Sequence, residues 1–202
     1  MVAHYRAESI VLAKENQGEA DQTITFFARD IGMVRARAVS SRKLISKLRG
    51  GLLLFSSAHV EFVQGRMRKT LVEARTRKAR NGIRQDFHRL RAAFRVSETV
   101  VALSYEHDTD GRVYDLLEET FNAMEAISLS RLSLLYYVFF WKFLHLLGYG
   151  PGLGAKEASE RLQACDIKDL ERLQVSLKER QQLNRACRAS FLNITNPSAL
   201  SK

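Results

Sequence analysis

Residues 128–151, SLSRLSLLYYVFFWKFLHLLGYGP, are the most apolar run of the chain, and their reading decides its architecture. Leu, Tyr, Val, Phe and Trp fall on every face of the helix this stretch predicts, so it must be buried in lipid or in protein. Its uncharged part extends only from Leu132 to Trp141 before Lys142 and His145 interrupt it, whereas a membrane span needs about 20 predominantly apolar residues. The stretch therefore predicts the central helix of a helical domain, with no membrane partner. Gly148, Gly150 and Pro151 end it, because Gly takes the left-handed cap position and Pro cannot continue a helix. Glycines at 148, 150, 152 and 154 have a superficial likeness to a phosphate loop, but such loops follow a strand and open a helix, and these follow a helix.

Around this element the helical pattern extends in both directions. From Ile83 the period is that of a helix, with Ile83, Phe87, Leu90, Phe94 and Val101 near one side and Arg80, Arg84, Arg91 and Arg95 near another. A turn at 107–111 precedes a second apolar face at 113–127, built on Leu116, Leu117, Phe121, Met124 and Ile127. Beyond the central helix, 155–164 and 167–193 predict further helices on Leu170, Leu173, Leu177, Leu183 and Phe191.

The first 80 residues read as β instead, with 5–14 a half-apolar run rich in Ile, Val and Leu and the later segments alternating with a period of two. Residues 5–14, 22–28, 33–39, the segment around Val60 and Phe62, and 70–77 read as five short strands separated by turns at 18–21, 30–32 and 64–65. In the third, Val34, Ala36 and Ala38 face one side and Arg35 and Arg37 the other. Five short strands with a strong basic bias predict a small barrel of the OB type, which tracks a nucleic-acid backbone in a charged groove. The expected class is α+β: a five-stranded OB-fold barrel over 1–80, then an all-helical domain over 81–202 built around 128–148.

The net charge of +10 is concentrated. Between Arg29 and Arg95 stand 18 Lys or Arg against four acids, whereas the rest of the chain is mildly acidic. Like charges left unpaired repel, so the imbalance points to one polyanion-binding face, with plain surface solvation as the bland alternative. The segment SSRKLISKLRGG, between the third and fourth strands, reads as a mobile basic loop carrying Arg42, Lys43, Lys47 and Arg49. No secretory signal is read at the N-terminus, and a cytoplasmic, nucleoid-associated protein is expected. Cys165 and Cys187 are too few for a structural zinc site and are expected as reduced thiols.

Candidate chemistry is sparse. His107, Asp108 and Asp110 could in principle hold a cation, but an Asp-rich turn ahead of a helix is what capping requires. No nucleophile elbow, phosphate loop or Cys/His constellation is present. No catalysis, metal or cofactor is therefore expected. Tyr5, Phe26, Phe27, Phe55 and Phe62 could stack on bases, with most of them expected in the barrel core and at most one or two facing nucleic acid.

The residues that remain resemble the bacterial RecO family. The likeness rests on the Gly18-Glu19-Ala20-Asp21 loop, the Gly32 turn into a basic strand, the basic loop leading into Gly50-Gly51-Leu52-Leu53-Leu54-Phe55, and the helix end Leu146-Leu147-Gly148-Tyr149-Gly150-Pro151. It implies an OB-fold followed by a helical domain, binding of single- and double-stranded DNA, annealing of complementary strands, work with RecR, and help in loading RecA on DNA coated by single-strand-binding protein. Leu53-Leu54 stands where members often have Gln-Pro, and Val39 where a basic residue is common. The segment 152–163 lacks the cysteine-rich zinc-binding insert of many members, so this resembles a shortened member.

The expected DNA face comprises Arg35, Arg37, Arg42, Lys43, Lys47 and Arg49, with Arg66, Arg68, Lys69, Arg75, Arg77, Arg80, Arg84 and Arg91 as further contacts. An acidic, apolar-ended tail of single-strand-binding protein is expected between Arg131 and Lys142, over Leu134, Leu135 and Val138. Rival readings are an RNA-binding or ribosome-associated factor on the same barrel, and a metal-dependent nuclease using Asp108 and Asp110.

Overall fold

The computed structural model describes residues 3–43, 46–105, 109–150 and 156–196. Five strands, β1 (Ala3–Gln17), β2 (Asp21–Ala28), β3 (Gly32–Ala38), β4 (Ser57–Gln64) and β5 (Lys69–Lys78), close into a barrel in the order β1-β2-β3-β5-β4. Every neighbouring pair is antiparallel except β3 with β5, which run parallel through Ala36↔Lys69 and Arg37↔Thr70. This is the OB-fold. Ile24, Phe26, Val34, Ala36, Val60, Phe62 and Leu71 fill the interior at the alternate positions a period of two requires. Small side chains on β3 leave room for Phe26 and Phe62, whose rings meet at 5.7 Å.

The segment between β3 and β4 returns across β5. Leu48 and Leu52 enter the barrel core, and Gly51 passes so close to β5 that a Cβ there would collide with the Ala74 carbonyl. Phe55, at φ +62°, is a bulky side chain in the left-handed region. Its N–H donates to the Val11 carbonyl at 2.8 Å, and its ring packs on Phe94 and Phe121.

The helices are α1 (Asn81–Gln85), α2 (Phe87–Leu103), α3 (Gly111–Ala126), α4 (Leu132–Leu146), α5 (Lys156–Ala164) and α6 (Leu177–Thr195). Helix α4 is the centre of the second core, with eleven of its residues buried. Gly148 at φ +81° ends it: Gly148 N–H donates to His145 O, and Tyr149 N–H reaches back to Leu144 O, both at 2.9 Å. No helix among the described residues is long and apolar enough to cross a membrane. Asp110 caps α3 by accepting from Arg112 N–H at 2.9 Å, while His107 and Asp108 lie outside the described residues.

Two features differ from the sequence reading. The helical pattern from Ile83 is broken at Asp86, which is extended and caps α2 through Arg89 N–H. The break resets the phase, so α2 buries Ala93, Val96, Val100 and Leu103, leaving Phe87 at 70% and Phe94 at 39% exposure. The barrel is also not a separate globule. Ile10, Leu12, Phe27, Met33 and Phe55, on its outer side, join the core around α4.

Candidate nucleic-acid interface

The described basic residues fall into three groups. Along β3, Arg35 is exposed with no carboxylate partner among the described residues. Arg37 shares its outward face but is held by Asp21, with Nη2 at 2.5 Å and Nε at 2.9 Å from Oδ2. Asp21 also accepts from Ser40 N–H at 2.7 Å. That backbone donor first, and the Arg37 guanidinium second, hold the Asp21 carboxyl below its ordinary range. The same junction fixes the start of the basic loop: Arg42 N–H donates to Ala20 O and its guanidinium to Gly18 O. Arg42, Lys43 and Lys47 are exposed, and Arg49 has only its backbone among the described atoms. At the β4–β5 hairpin, Arg66, Met67 and Arg68 are exposed, Met67 at 92%. Parallel pairing of Lys69 with Ala36 runs this hairpin alongside the Arg35 stretch. Lys69 itself is half-buried and engaged with a neighbour.

The second group is engaged by neighbouring protein groups, and one of its members, Arg80, corrects an expected DNA contact. Arg80 is fully buried at the junction of barrel and helices. Its Nη1 donates to Phe55 O at 2.6 Å, its Nε to Asn122 Oδ1 at 3.0 Å, and its Nη2 lies 2.9 Å from Glu118 Oε2. A guanidinium with no solvent access cannot meet a phosphate, so Arg80 is removed from the DNA face. Arg77 is drawn to the same carboxylate, 2.9 Å from Glu118 Oε1. Arg84 donates to Leu54 O at 2.9 Å and to Asn81 Oδ1. Arg75 is 2.5 Å from Glu73 in a surface pair that leaves its guanidinium open to solvent.

Glu118 is thus a hub that the sequence did not reveal. Burial opposes its ionisation, but the Ser57 hydroxyl at 2.5 Å and the Arg80 and Arg77 cations outweigh it and hold the carboxyl below its ordinary range. Arg29 and Arg89 were also missed. Arg29 lies over the Tyr114 ring and pairs with Asp115 at 2.7 Å, and Arg89 caps the end of α3 through the Met124 and Ile127 carbonyls. No motif or spacing marks any of the three.

The third group lies on the helices. Arg91 is exposed on α2. Arg131 donates to the carbonyls of Leu173 at 2.7 Å and Glu171 at 3.2 Å, tying the start of α4 to the segment before α6. Leu134, Leu135 and Val138 have no exposed surface. The expected slot between Arg131 and Lys142 is therefore not there, because the apolar residues meant to line it are core. Lys142 borders a different cavity of about 640 Å³, whose wall also holds Arg112 and His145 but three carboxylates, Asp115, Glu119 and Glu160.

Of the five barrel aromatics considered for stacking, Phe26, Phe27, Phe55 and Phe62 are buried, whereas Tyr5 is 40% exposed and lies flat on Phe62 at 5.2 Å. No group of three or more His, Cys, Asp or Glu among the described residues could hold a metal ion.

The family model described as recombination protein O, N terminal, matches residues 1–80, and that described as recombination protein O, C terminal, matches residues 84–161. Among curated relatives, the DNA repair protein RecO of Gloeothece citriformis is 31% identical over 121 residues, 60% of this chain and 43% of the relative. Those of Dehalococcoides mccartyi and Roseiflexus are 28% and 30% identical over 149 residues, 74% of this chain and 58% and 52% of the relatives. The chain spans about half the length of the curated relatives it matches. Matched in order by the models of both terminal domains across most of its residues, the chain belongs to the RecO family.

Proposed function

We propose that the chain is a non-enzymatic DNA-binding repair protein that neutralises the phosphates of single and double strands, and so lets complementary strands anneal. The observation that carries this reading is the set of exposed cations: Arg35 with Arg66 and Arg68 beside it, on the strand 2–3 face and the β4–β5 loop with which OB-folds bind oligonucleotides, joined by Arg42, Lys43 and Lys47 on the segment after β3. Cations without carboxylate partners release DNA counterions on binding, which is the main source of affinity for a polyanion. Annealing needs no catalytic group, because screening the phosphates removes the barrier between two like-charged strands.

On this reading residues 1–80 are the DNA-binding domain and 81–202 the helical domain. Membership of the family, and relatives named as DNA repair proteins, support work with RecR and help to RecA on gapped DNA, in the cytoplasm at the nucleoid. Of the two cations expected to hold a tail of single-strand-binding protein, Arg131 is tied to Leu173 O and Lys142 stands in a cavity whose Asp115, Glu119 and Glu160 oppose an acidic peptide.

The test is a titration of a labelled single strand at increasing salt, with RNA of the same sequence as competitor. Expected are a linear fall of log affinity with log salt, which Arg35→Ala makes shallower by about 0.7, and no preference for RNA. A preference that follows the 2′-hydroxyl would instead support an RNA-binding factor, and cleavage with magnesium or manganese a nuclease.

A further inference from the structure

We propose a second single-strand site in the groove between α2, α4 and α6, so that one chain holds two strands at once. Two cavities of about 460 and 480 Å³ lie on either side of Arg95 and share Arg91, Arg95, Glu98 and Tyr136 in their walls. Arg95 is pinned at the junction, its guanidinium 3.7 Å over the Tyr136 ring. The Tyr136 hydroxyl is in turn 3.0 Å from Thr99 Oγ1, so the platform is fixed by buried polar contacts. Arg91 on α2 and Arg188 on α6 are exposed across the groove, and neither has a carboxylate partner among the described residues.

Charge complementarity demands an anion: three arginines face the groove, and among the described residues Glu98 is the one acid lining either cavity. Exposed aromatics narrow the choice of anion. Phe94 is 39% exposed in the groove wall, and Phe87 is 70% exposed one turn before Arg91, edge-on to His88. A helix face that carries Phe87, Arg91, Phe94 and Arg95 within about two turns offers bases a stacking surface and phosphates a counter-charge, which is how unstructured strands are bound without reading sequence. An acidic peptide would use the arginines but leave the exposed Phe87 ring beside the groove without a role. All residues of the site come from helices, so it is separate from the barrel face. The inference rests on the annealing function proposed above, for which two strands on one molecule turn a bimolecular encounter into a local one.

The experiment counts strands bound per chain with labelled oligo-dT of about 15 nucleotides, and follows annealing of complementary strands by energy transfer. The unaltered protein is expected to bind two strands. Arg91→Gln with Arg188→Gln, both at exposed positions, is expected to bind one, to anneal about tenfold more slowly, and to lose about 1.4 from the salt slope of the second binding step. Phe87→Trp in an Arg35→Ala, Arg68→Ala background reports directly, because stacking of thymine should quench the new indole. One strand on the unaltered protein, two on the double variant, no quenching at Trp, or a groove that takes a labelled Asp/Glu-rich peptide but not oligo-dT overturns the proposal. Failure of the barrel reading is distinct: Arg35→Ala with Arg68→Ala would then keep both strands.

Discussion

Replacing Arg80 with Met separates structural cations from those on the DNA face. The substitution keeps most of the volume and removes three interactions at one fully buried point: with Phe55 O, Asn122 Oδ1 and Glu118. Glu118 keeps Ser57 and Arg77, so its charge is not wholly stranded, but the Phe55 carbonyl and the Asn122 amide lose their donor inside the barrel–helix junction. An unsatisfied buried group costs about 1–3 kcal/mol, and breaking a buried ion pair from one side about 3–5 kcal/mol in all. With a urea dependence of about 2 kcal/mol/M, the unfolding midpoint should fall by about 1.5–2.5 M. The salt slope for single-strand binding by folded protein should not change. Arg35→Ala should do the opposite, with stability within about 0.5 kcal/mol of the unaltered chain and a slope shallower by about 0.7. Urea unfolding followed by circular dichroism, with anisotropy titrations of the same preparations, reads both quantities. An Arg80→Met protein with an unshifted midpoint, or one that is stable and loses slope, would refute the assignment of Arg80 to the junction.

Arg37→Ala should lower the slope less than Arg35→Ala, because Asp21 already neutralises Arg37, and should destabilise the basic loop, seen as faster proteolysis near Arg42 and Lys43. Glu118 is depressed in the folded state, so its stabilisation is complete above its unfolded value of about 4.3 and is lost as pH falls through the folded value. Glu118→Gln should therefore lower the melting temperature at pH 7 and flatten its acid decline below about pH 4.5. Gly51→Ala should cost at least about 1–3 kcal/mol through collision with the Ala74 carbonyl, read as a drop in melting temperature. Burial pushes the Cys187 thiol up to about 12, so mass mapping should find it unlabelled by iodoacetamide at pH 8 until the protein is unfolded.

Much of the fold was legible because its signals are local. An Ile-, Val- and Leu-rich run in β1, a period of two in β2 and β3, and a run like Leu132–Trp141 specify strand and buried helix whatever surrounds them, and Gly148 ends α4 through its own backbone freedom. Local patterning also placed Arg35 and Arg37 on one outward face, since alternation is a property of the strand alone. The use made of each cation was not legible. Arg80, Arg84, Arg91 and Arg95 read as one helical stripe, yet Arg80 is buried against Glu118, 38 positions later in the chain, Arg84 is bound to Leu54 O, and Arg95 lies on Tyr136. The extended residue Asp86 resets the helical phase between Arg84 and Arg91, and whether a guanidinium meets solvent, carbonyl or carboxylate depends on groups brought near by folding. Sequence by itself determined the barrel, the helical half and where positive charge is dense; only tertiary structure decided which charges are free to meet DNA, because pairing energy depends on distance and burial, neither of which a linear pattern carries.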